Sequence, residues 1–401
     1  MEYGLVVWWL VAFLALMAVG MPIAGALFPR FADRGAGVAL PLALAVVWLV
    51  VYLVGHLSVT VGFVAGLALL FGAAGLATYR GVEFDRRRYA EVALVFSVAF
   101  LFLVAVRAVD AGVHAIGGEK FLDFGLLRSS VRADVLPPED VWFAGRPVNY
   151  YYGGHLAASI LVRITGTSAR YAYNLALAGF YAMFVTAAYG LAGSIAASRG
   201  VSRVRGGVFG AFLVGFASNM ATVAETLSNG PGHLLDQEGG FGYWSASRVI
   251  EGTINEFPLF AWLNGDLHAH MTSTPFMLLV VALGYAYWRT PAGEVRRRRL
   301  LVFGAVPPVV GLVAVVNTWS FPTALGVTWL ALALAPADPL DLLPPSIEGR
   351  LPAAARTDGG PESASPSARS ETGSGVDLDP RRWLGLELRR TGGALVLAVC
   401  L

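Results

Sequence analysis

The sequence predicts an all-α fold, a polytopic bundle of transmembrane helices with two long outer loops. Hydrophobic residues make up 56% of the chain and charged residues 14%, whereas a soluble domain carries about 25% charge. Apolar stretches recur that are long enough to cross a hydrocarbon core of about 30 Å. The 47 glycines suit helices that pack closely in a membrane. A soluble enzyme is therefore excluded, and the lipid bilayer is the first predicted partner.

A window of about 19 residues places nine spans, and a tenth begins near Thr391. The nine lie near residues 3–27, 37–55, 58–79, 90–109, 171–197, 206–226, 271–289, 299–317 and 321–337. The first run lacks the basic start of a secretory signal and is predicted to be retained. Because the last apolar run stops at Leu401, we expect the chain to be part of a longer protein.

These spans divide the chain into five regions. Residues 1–109 are predicted to be N-terminal transmembrane helices, 110–170 an outer loop with a juxtamembrane helix, and 171–337 a transmembrane core. Residues 338–390, rich in Pro, Ser, Gly and charge, are predicted to be a disordered cytoplasmic linker. Residues 391–401 begin a further transmembrane helix.

The arginines of the short loops set the predicted orientation. If the spans alternate, most of these arginines fall on one side, which is then cytoplasmic. They are Arg30, Arg34, Arg80, Arg86, Arg87, Arg88, Arg199, Arg203, Arg205, Arg289 and Arg296 through Arg299. The long loops 110–170 and 227–270 would then face outward, from what we expect to be the plasma membrane.

Net charge and cysteine usage argue against a nucleic-acid partner and exclude two kinds of cysteine site. The formal net charge of +2 gives no reason to expect nucleic acid. The single cysteine, Cys400, excludes a disulfide framework and a zinc-thiolate site.

Four ionisable residues stand beside a predicted span. They are Glu256, Asp266, His268 and His270. Such groups are costly next to hydrocarbon and indicate a functional site. Two histidines two residues apart, with Asp266 as third ligand, suit a divalent metal ion; a buried hydrogen-bonded pair or a proton relay is the alternative.

The first outer loop carries a second polar group. Glu119 and Asp123 are four apart, so on a helix they share a face and could hold a cation or act as a base; a solvated face is the alternative. Further along lie Arg146, Asn149, Tyr150, Tyr151, Tyr152 and His155. The tyrosines could line a substrate site or form an aromatic belt. The apolar stretch 156–164, too short to span, is predicted to be an interfacial or re-entrant helix.

Five motifs follow one another between residues 119 and 322. They are Asp123-Phe-Gly-Leu-Leu-Arg-Ser, Pro137-Pro-Glu-Asp-Val-Trp-Phe-Ala-Gly, Asn149-Tyr-Tyr-Tyr-Gly-Gly-His, Gly265-Asp-Leu-His-Ala-His and Asn317-Thr-Trp-Ser-Phe-Pro. In this order they resemble a large family of uncharacterised membrane proteins named for its YYY signature. Gly153, Ala269 and Ser320 stand where the family pattern has Phe, Pro and Asp.

The layout is also similar to that of the C superfamily of membrane glycosyltransferases, which use polyprenyl-phosphate sugars. Those enzymes carry an acidic residue early in the first outer loop, then a Lys/Arg-Pro-x-x-Tyr-Tyr segment before a juxtamembrane helix. Asp123 and Arg146 stand at the matching positions. The resemblance implies a similar fold and a glycosyltransferase that acts at the outer face on a polyprenyl-phosphate-linked sugar.

Under this hypothesis the chemistry needs a base and help for the departing phosphate. Asp123, Glu119 and Asp266 would be catalytic, and Asp266, His268 and His270 would hold a divalent metal ion. Arg128, Arg132, Arg146 or Arg163 could meet the phosphate. The predicted substrate-binding residues are Arg146, Asn149, Tyr150, Tyr151, Tyr152, His155, Glu256 and Trp319.

Two other classes of function stay open. A transporter would use the same Asp and His residues as a substrate or proton site, with internal repeats that the sequence does not display. A non-catalytic membrane scaffold would need no shared site. The enzyme hypothesis requires one outer cavity, walled by the tyrosines, on which six residues converge: Asp123, His155, Glu256, Asp266, His268 and His270.

Overall fold

The computed structural model describes residues 2–114, 119–218, 220–230, 243–343, 391–395 and 398, and within them the chain is helical without a strand. The predicted all-α fold is confirmed. The α-helices are α1 (Tyr3–Leu27), α2 (Ala39–Gly55), α3 (Val59–Tyr79), α4 (Arg86–Arg107), α5 (Lys120–Arg132), α6 (Gly153–Thr165), α7 (Ala169–Ser198), α8 (Arg203–Gly215), α9 (Met220–Asn229), α10 (Tyr243–Ala246), α11 (Pro258–Asn264), α12 (Ala269–Thr272), α13 (Thr274–Trp288), α14 (Val295–Arg299), α15 (Val306–Val316) and α16 (Phe321–Leu334).

Seven helical stretches among the described residues are long and apolar enough to cross a membrane. They are Tyr3–Leu27, Ala36–Gly55, Val59–Tyr79, Arg86–Asp110, Ala169–Ser198, Ala269–Trp288 and Val295–Val316. The predicted span 206–226 corresponds to two helices, α8 and α9, which together are apolar enough to span and are bent by 87°. The predicted span 321–337 falls in a shorter apolar helix, Thr318–Leu334. The chain is an integral membrane protein.

The chain divides into two compact units. The first comprises Met1–Ala282 and Pro308–Ala324, and the second comprises Leu283–Pro307 and Leu325–Leu401. In the second unit Arg298 is fully buried and donates to the Tyr287 hydroxyl at 2.8 Å and the Asp338 carbonyl at 2.7 Å. Residues 344–390, most of the predicted linker, lie outside the described residues, as do 396–397 and 399–401 of the predicted last helix.

Helix α7 is the central helix of the first unit. In the most apolar stretch of α7, 89% of the residues are buried, whereas in that of α3 only 28% are. Much of α3 is therefore left to face lipid. Glycines of α8 allow its backbone to approach α7: a Cβ added to Gly207 would lie 2.9 Å from the Tyr189 carbonyl oxygen. Close approach through small residues is the usual basis of helix association in membranes.

The two ends of the first unit carry different chemistry. At one end Asp33 accepts hydrogen bonds from two backbone N–H groups and from the Ser194 hydroxyl, and burial raises the pKa of its carboxyl. At the same end Arg203 donates to Glu91 at 2.5 Å. The predicted site residues lie where α7 begins and α4 ends, the opposite end. The arginine-bearing loops of this unit are thus separated from the site, as the alternation of spans requires, and which end faces outward stays a prediction.

Helix α6 includes the apolar stretch 156–164, which the sequence predicted to be an interfacial or re-entrant helix. It is buried from Gly153 to Val162 and packs against α1, α2, α5 and α7. A Cβ on Gly153 would lie 2.8 Å from the Val316 nitrogen, so this glycine lets α6 begin directly against the α15 backbone. The Trp48 indole also donates to the Gly153 carbonyl at 2.8 Å. These contacts set the position of His155, two residues further on.

Candidate functional site

Helix α5 presents one of its faces to the interior of the first unit. Asp123, Leu126, Leu127 and Ser130 are buried on it. The carboxylate of Asp123 lies in the first turn, where the positive end of the helix dipole favours it. Glu119, just before the helix, is more exposed.

Asp123 is a buried carboxylate with one unused oxygen. The residue is 2% exposed, and its Oδ1 lies 3.3 Å from Nε2 of His155, which is 1% exposed. Oδ2 is buried and has no hydrogen-bond partner among the described residues. Buried polar atoms are normally paired, because leaving one unpaired costs free energy. An oxygen of this kind indicates a place for a ligand or a transferred proton.

Three side chains come together at this carboxylate. One ligand atom each from Glu119, Asp123 and His268 lies within 4.8 Å of the others, and His268 Nδ1 is 2.6 Å from Glu119 Oε2. The predicted convergence of Asp123 and His268 is confirmed. Carboxylate oxygen and imidazole nitrogen suit several divalent metal ions, so these residues could hold one. The group shares only His268 with the predicted set of Asp266, His268 and His270.

Asp266 has a different set of partners. Lys120 Nζ lies 2.9 Å from its Oδ1, and the Asn264 amide donates to its Oδ2 at 2.6 Å. Lys120 also donates to the Asn264 carbonyl at 3.2 Å. The sequence analysis missed Lys120, although it is the single lysine among 29 lysines and arginines. The signal in the sequence was that this residue is a lysine while all the others of the 29 are arginines. Lysine and arginine side chains are not interchangeable, so a single lysine indicates a specific role.

His270 and Glu256 complete the cluster. Their closest atoms, Nε2 and Oε2, are 3.7 Å apart, and the His268 and His270 ring centroids are 4.7 Å apart. Both residues line a cavity of about 310 Å³, whose wall also includes Glu119, Asp266 and His268. Of the six residues predicted to converge on one cavity, Asp123 and His155 are not part of its wall. A volume of this size is typical of small-molecule sites.

Helices α4 and α7 hold the loop that carries Asp266. Gly265 has a φ of +79°, which glycine adopts without strain, and the Arg107 guanidinium lies against it, 2.6 Å from where a Cβ would be. Arg107 Nε donates to Asn174 at 3.1 Å. The Leu267 N–H donates to the Tyr173 hydroxyl at 2.7 Å. Arg107, Tyr173 and Asn174 thus support the loop. Nothing in the sequence distinguishes these three from ordinary residues near the end of a span.

The tyrosine triplet, which was predicted to wall the cavity, does not line it. The Tyr150 hydroxyl donates to the Tyr151 hydroxyl at 2.6 Å, and Tyr152 is buried. Burial raises the pKa of Tyr150, and the Tyr151 hydrogen bond and the charges of Glu119 and Asp123 add to this rise.

Other predicted substrate residues are outside the cavity wall. Arg146 and Asn149 are exposed, and Trp319 is 82% exposed. In the motif of Trp319, Ser320 Oγ lies 3.3 Å from Oγ of Ser273, three residues after His270.

The four arginines proposed for a phosphate are also elsewhere. Arg163 donates to the carbonyls of Val131 and Ala133, at 3.2 and 3.1 Å. Arg128 and Arg132 line a separate cavity of about 370 Å³.

The family model described as "Uncharacterized membrane protein (DUF2298)" matches residues 42–369, most of the chain. The chain belongs to this family. The DUF2298 match includes the site from Glu119 to His270, and it agrees with the resemblance to a family of uncharacterised membrane proteins. No curated protein and no solved structure matches the chain. The tyrosine signature and the glycosyltransferase layout stay predictions for this DUF2298 protein.

Proposed function

We propose that this DUF2298 protein is a membrane-embedded glycosyltransferase that moves a sugar from a polyprenyl-phosphate donor to an acceptor at the outer face of the plasma membrane. The observation that supports the proposal most is the Asp123 carboxylate. It is 2% exposed, carries an unpaired oxygen, and adjoins Glu119 and His268. Carboxylates in such sites serve as general bases.

The proposed reaction is a single substitution at the anomeric carbon. The acceptor hydroxyl oxygen forms a bond to that carbon while the bond from the carbon to the phosphate oxygen breaks. The bonding electron pair leaves with the polyprenyl phosphate, and the hydroxyl proton goes to Asp123. His155 Nε2 lies 3.3 Å from the other carboxylate oxygen without forming a hydrogen bond to it, so the imidazole would confine the base by contact.

The negative charge of the departing phosphate needs compensation. Glu119 and His268, whose ligand atoms lie within 4.8 Å of each other and of one from Asp123, are the residues that would hold a divalent metal ion, which would supply positive charge to the phosphate oxygens. Lys120 neutralises Asp266 and keeps its loop against α5. Tyr150 would contact the sugar, and the exposed Arg146, Asn149 and Trp319 would contact the acceptor at the rim.

The test of the base is Asp123→Asn, which keeps the shape of the side chain and removes the proton acceptor. We expect the variant to insert and fold while transfer to surface glycans falls at least about 100-fold, the size of a general-base contribution. Asp134→Asn, an exposed carboxylate of the same loop, is the matched control. Normal glycans and lipid-linked sugars in cells carrying a folded Asp123→Asn protein would refute the proposal.

The test of the cation is binding of Mn²⁺ to purified protein. Glu119→Gln and His268→Ala each remove a ligand and should weaken binding by about 10-fold or more. His270→Ala, which removes a residue of the set predicted from sequence, should leave binding unchanged. If His270→Ala weakens binding and Glu119→Gln does not, the ligands are those of the sequence-based set.

One observation favours a transporter as the second candidate. Helices α8 and α9 together are apolar enough to span but are bent by 87°, and transporters often bind substrates at broken helices. Under this alternative Asp123→Asn would leave glycans unchanged and abolish flux of a solute.

A further inference from the structure

The cavity lined by Glu119, Asp266 and His268 is also lined by an arginine. Arg248 lines it together with Trp244, Glu256 and His270. Arg248 lies between α10 and α11, in a segment with a small hydrophobic cluster of its own formed by Ala246, Phe257 and Phe260. Sequence reasoning gave it no role.

The guanidinium of Arg248 is held in place but only partly used. Its central carbon lies 4.2 Å from the centroid of the Trp244 ring. Its Nη1 donates to the Ser247 carbonyl at 3.0 Å and to the Ser247 hydroxyl at 2.6 Å. These two are the hydrogen bonds of the Arg248 side chain among the described residues. No carboxylate of the described residues forms an ion pair with Arg248. Nε and Nη2 therefore keep N–H groups for a ligand.

The composition of the cavity selects the ligand. The Glu119, Asp123 and His268 group suits a cation, and Arg248 is a second positive centre in a cavity shared with Glu119 and His268. A phosphate ester can accept from an arginine and contact a metal ion at the same time. The four arginines predicted from the sequence to meet the phosphate are placed differently. Arg163 donates to backbone carbonyls, Arg128 and Arg132 line a separate cavity, and Arg146 is exposed.

We infer that Arg248 binds the phosphate group of the substrate, with Trp244 supporting the guanidinium. This inference rests on the proposed function for the kind of phosphate ester, since a polyprenyl phosphate is the proposed leaving group. Phosphate binding itself requires no sugar transfer and can be measured separately.

The experiment measures binding of farnesyl phosphate to the full chain in detergent with Mg²⁺, by titration calorimetry. Arg248→Gln should weaken binding about 10- to 100-fold, the loss expected for charge-assisted hydrogen bonds. Arg248→Lys keeps the positive charge but lacks the planar guanidinium, so its affinity for farnesyl phosphate should lie between those of the wild type and Arg248→Gln. Arg128→Gln, in the separate cavity, is the matched control and should bind like the wild type.

Two further ligands separate the phosphate from the lipid. Farnesol, which lacks the phosphate, should bind wild type and Arg248→Gln equally. Inorganic phosphate should compete with farnesyl phosphate in the wild type; equal affinity for the two would indicate a soluble phosphate ester as substrate. Unchanged farnesyl phosphate binding in a folded Arg248→Gln protein, or an equal loss in Arg128→Gln, would overturn the inference. Loss of phosphate binding without loss of glycan transfer would count against the proposed function and leave this inference intact.

Discussion

Replacing Gly153 with alanine tests how the start of α6 positions the site. The added Cβ would lie 2.8 Å from the Val316 nitrogen and 2.9 Å from the Val315 carbonyl oxygen, whereas ordinary contact begins at 3.4 Å. These neighbours are backbone atoms of α15, which cannot rotate away. The start of α6 must therefore move by about 0.6 Å, and overpacking of this kind costs about 1–3 kcal/mol. Alanine recovers up to about 1 kcal/mol through its helix propensity, so we expect net destabilisation of about 1–2 kcal/mol.

The same movement should reach the candidate site. His155 is two residues from Gly153, and its Nε2 lies 3.3 Å from Asp123 Oδ1, so a shift of about 0.6 Å would change the position of the imidazole against the carboxylate. Because misplacement by about 1 Å can cost 100-fold in rate, we expect about a 10-fold loss of transfer.

Thermal unfolding in detergent gives the stability, and Gly75→Ala is the control. Gly75 lies inside α3, and nothing approaches within 4 Å of an added Cβ, so this variant should be stabilised by about 0.5–1 kcal/mol. The two glycine-to-alanine changes should therefore have opposite signs. A Gly153→Ala protein as stable as Gly75→Ala would refute the packing of α6 on α15.

Two other predictions concern ionisable groups in the first unit. Lys120→Met should lower the free energy of unfolding by about 3 kcal/mol, because it leaves Asp266, 10% exposed, without its cation; thermal unfolding should show a smaller loss for Lys120→Arg and recovery in Lys120→Met with Asp266→Asn. For Asp33, whose pKa is raised by burial, the folded state keeps a proton that the unfolded state has lost, so stability should fall as pH rises from about 4 to the raised value. The melting temperature of the wild type should fall as pH rises across this range, and that of Asp33→Asn should not. A wild-type melting temperature that rises with pH would contradict the raised pKa.

Local pattern was enough to predict most of the spans and most of the acidic and histidine residues of the site, although it missed Lys120 and Arg248. A helix must satisfy its backbone inside hydrocarbon, so long apolar runs allow few alternatives, and seven of the nine predicted spans are found as single long helices. Ionisable residues in such a sequence are rare, which is why Glu119, Asp123, Glu256, Asp266, His268 and His270 could be selected without a structure. The bend between α8 and α9 was missed because hydropathy measures composition and carries no information on direction.

The sequence by itself determined a membrane-embedded helical bundle and most of the acidic and histidine residues of its site. Only the tertiary structure decided their pairing: Asp266 binds Lys120, and His268 turns to Glu119 and Asp123 instead of acting with its neighbours in the sequence. The reason is that α5 and the loop after α11 meet through contacts between residues more than 140 positions apart, such as the bond from Lys120 to the Asn264 carbonyl. Spacing along a chain reports which side chains share a face, and the partner across that face depends on how the helices pack.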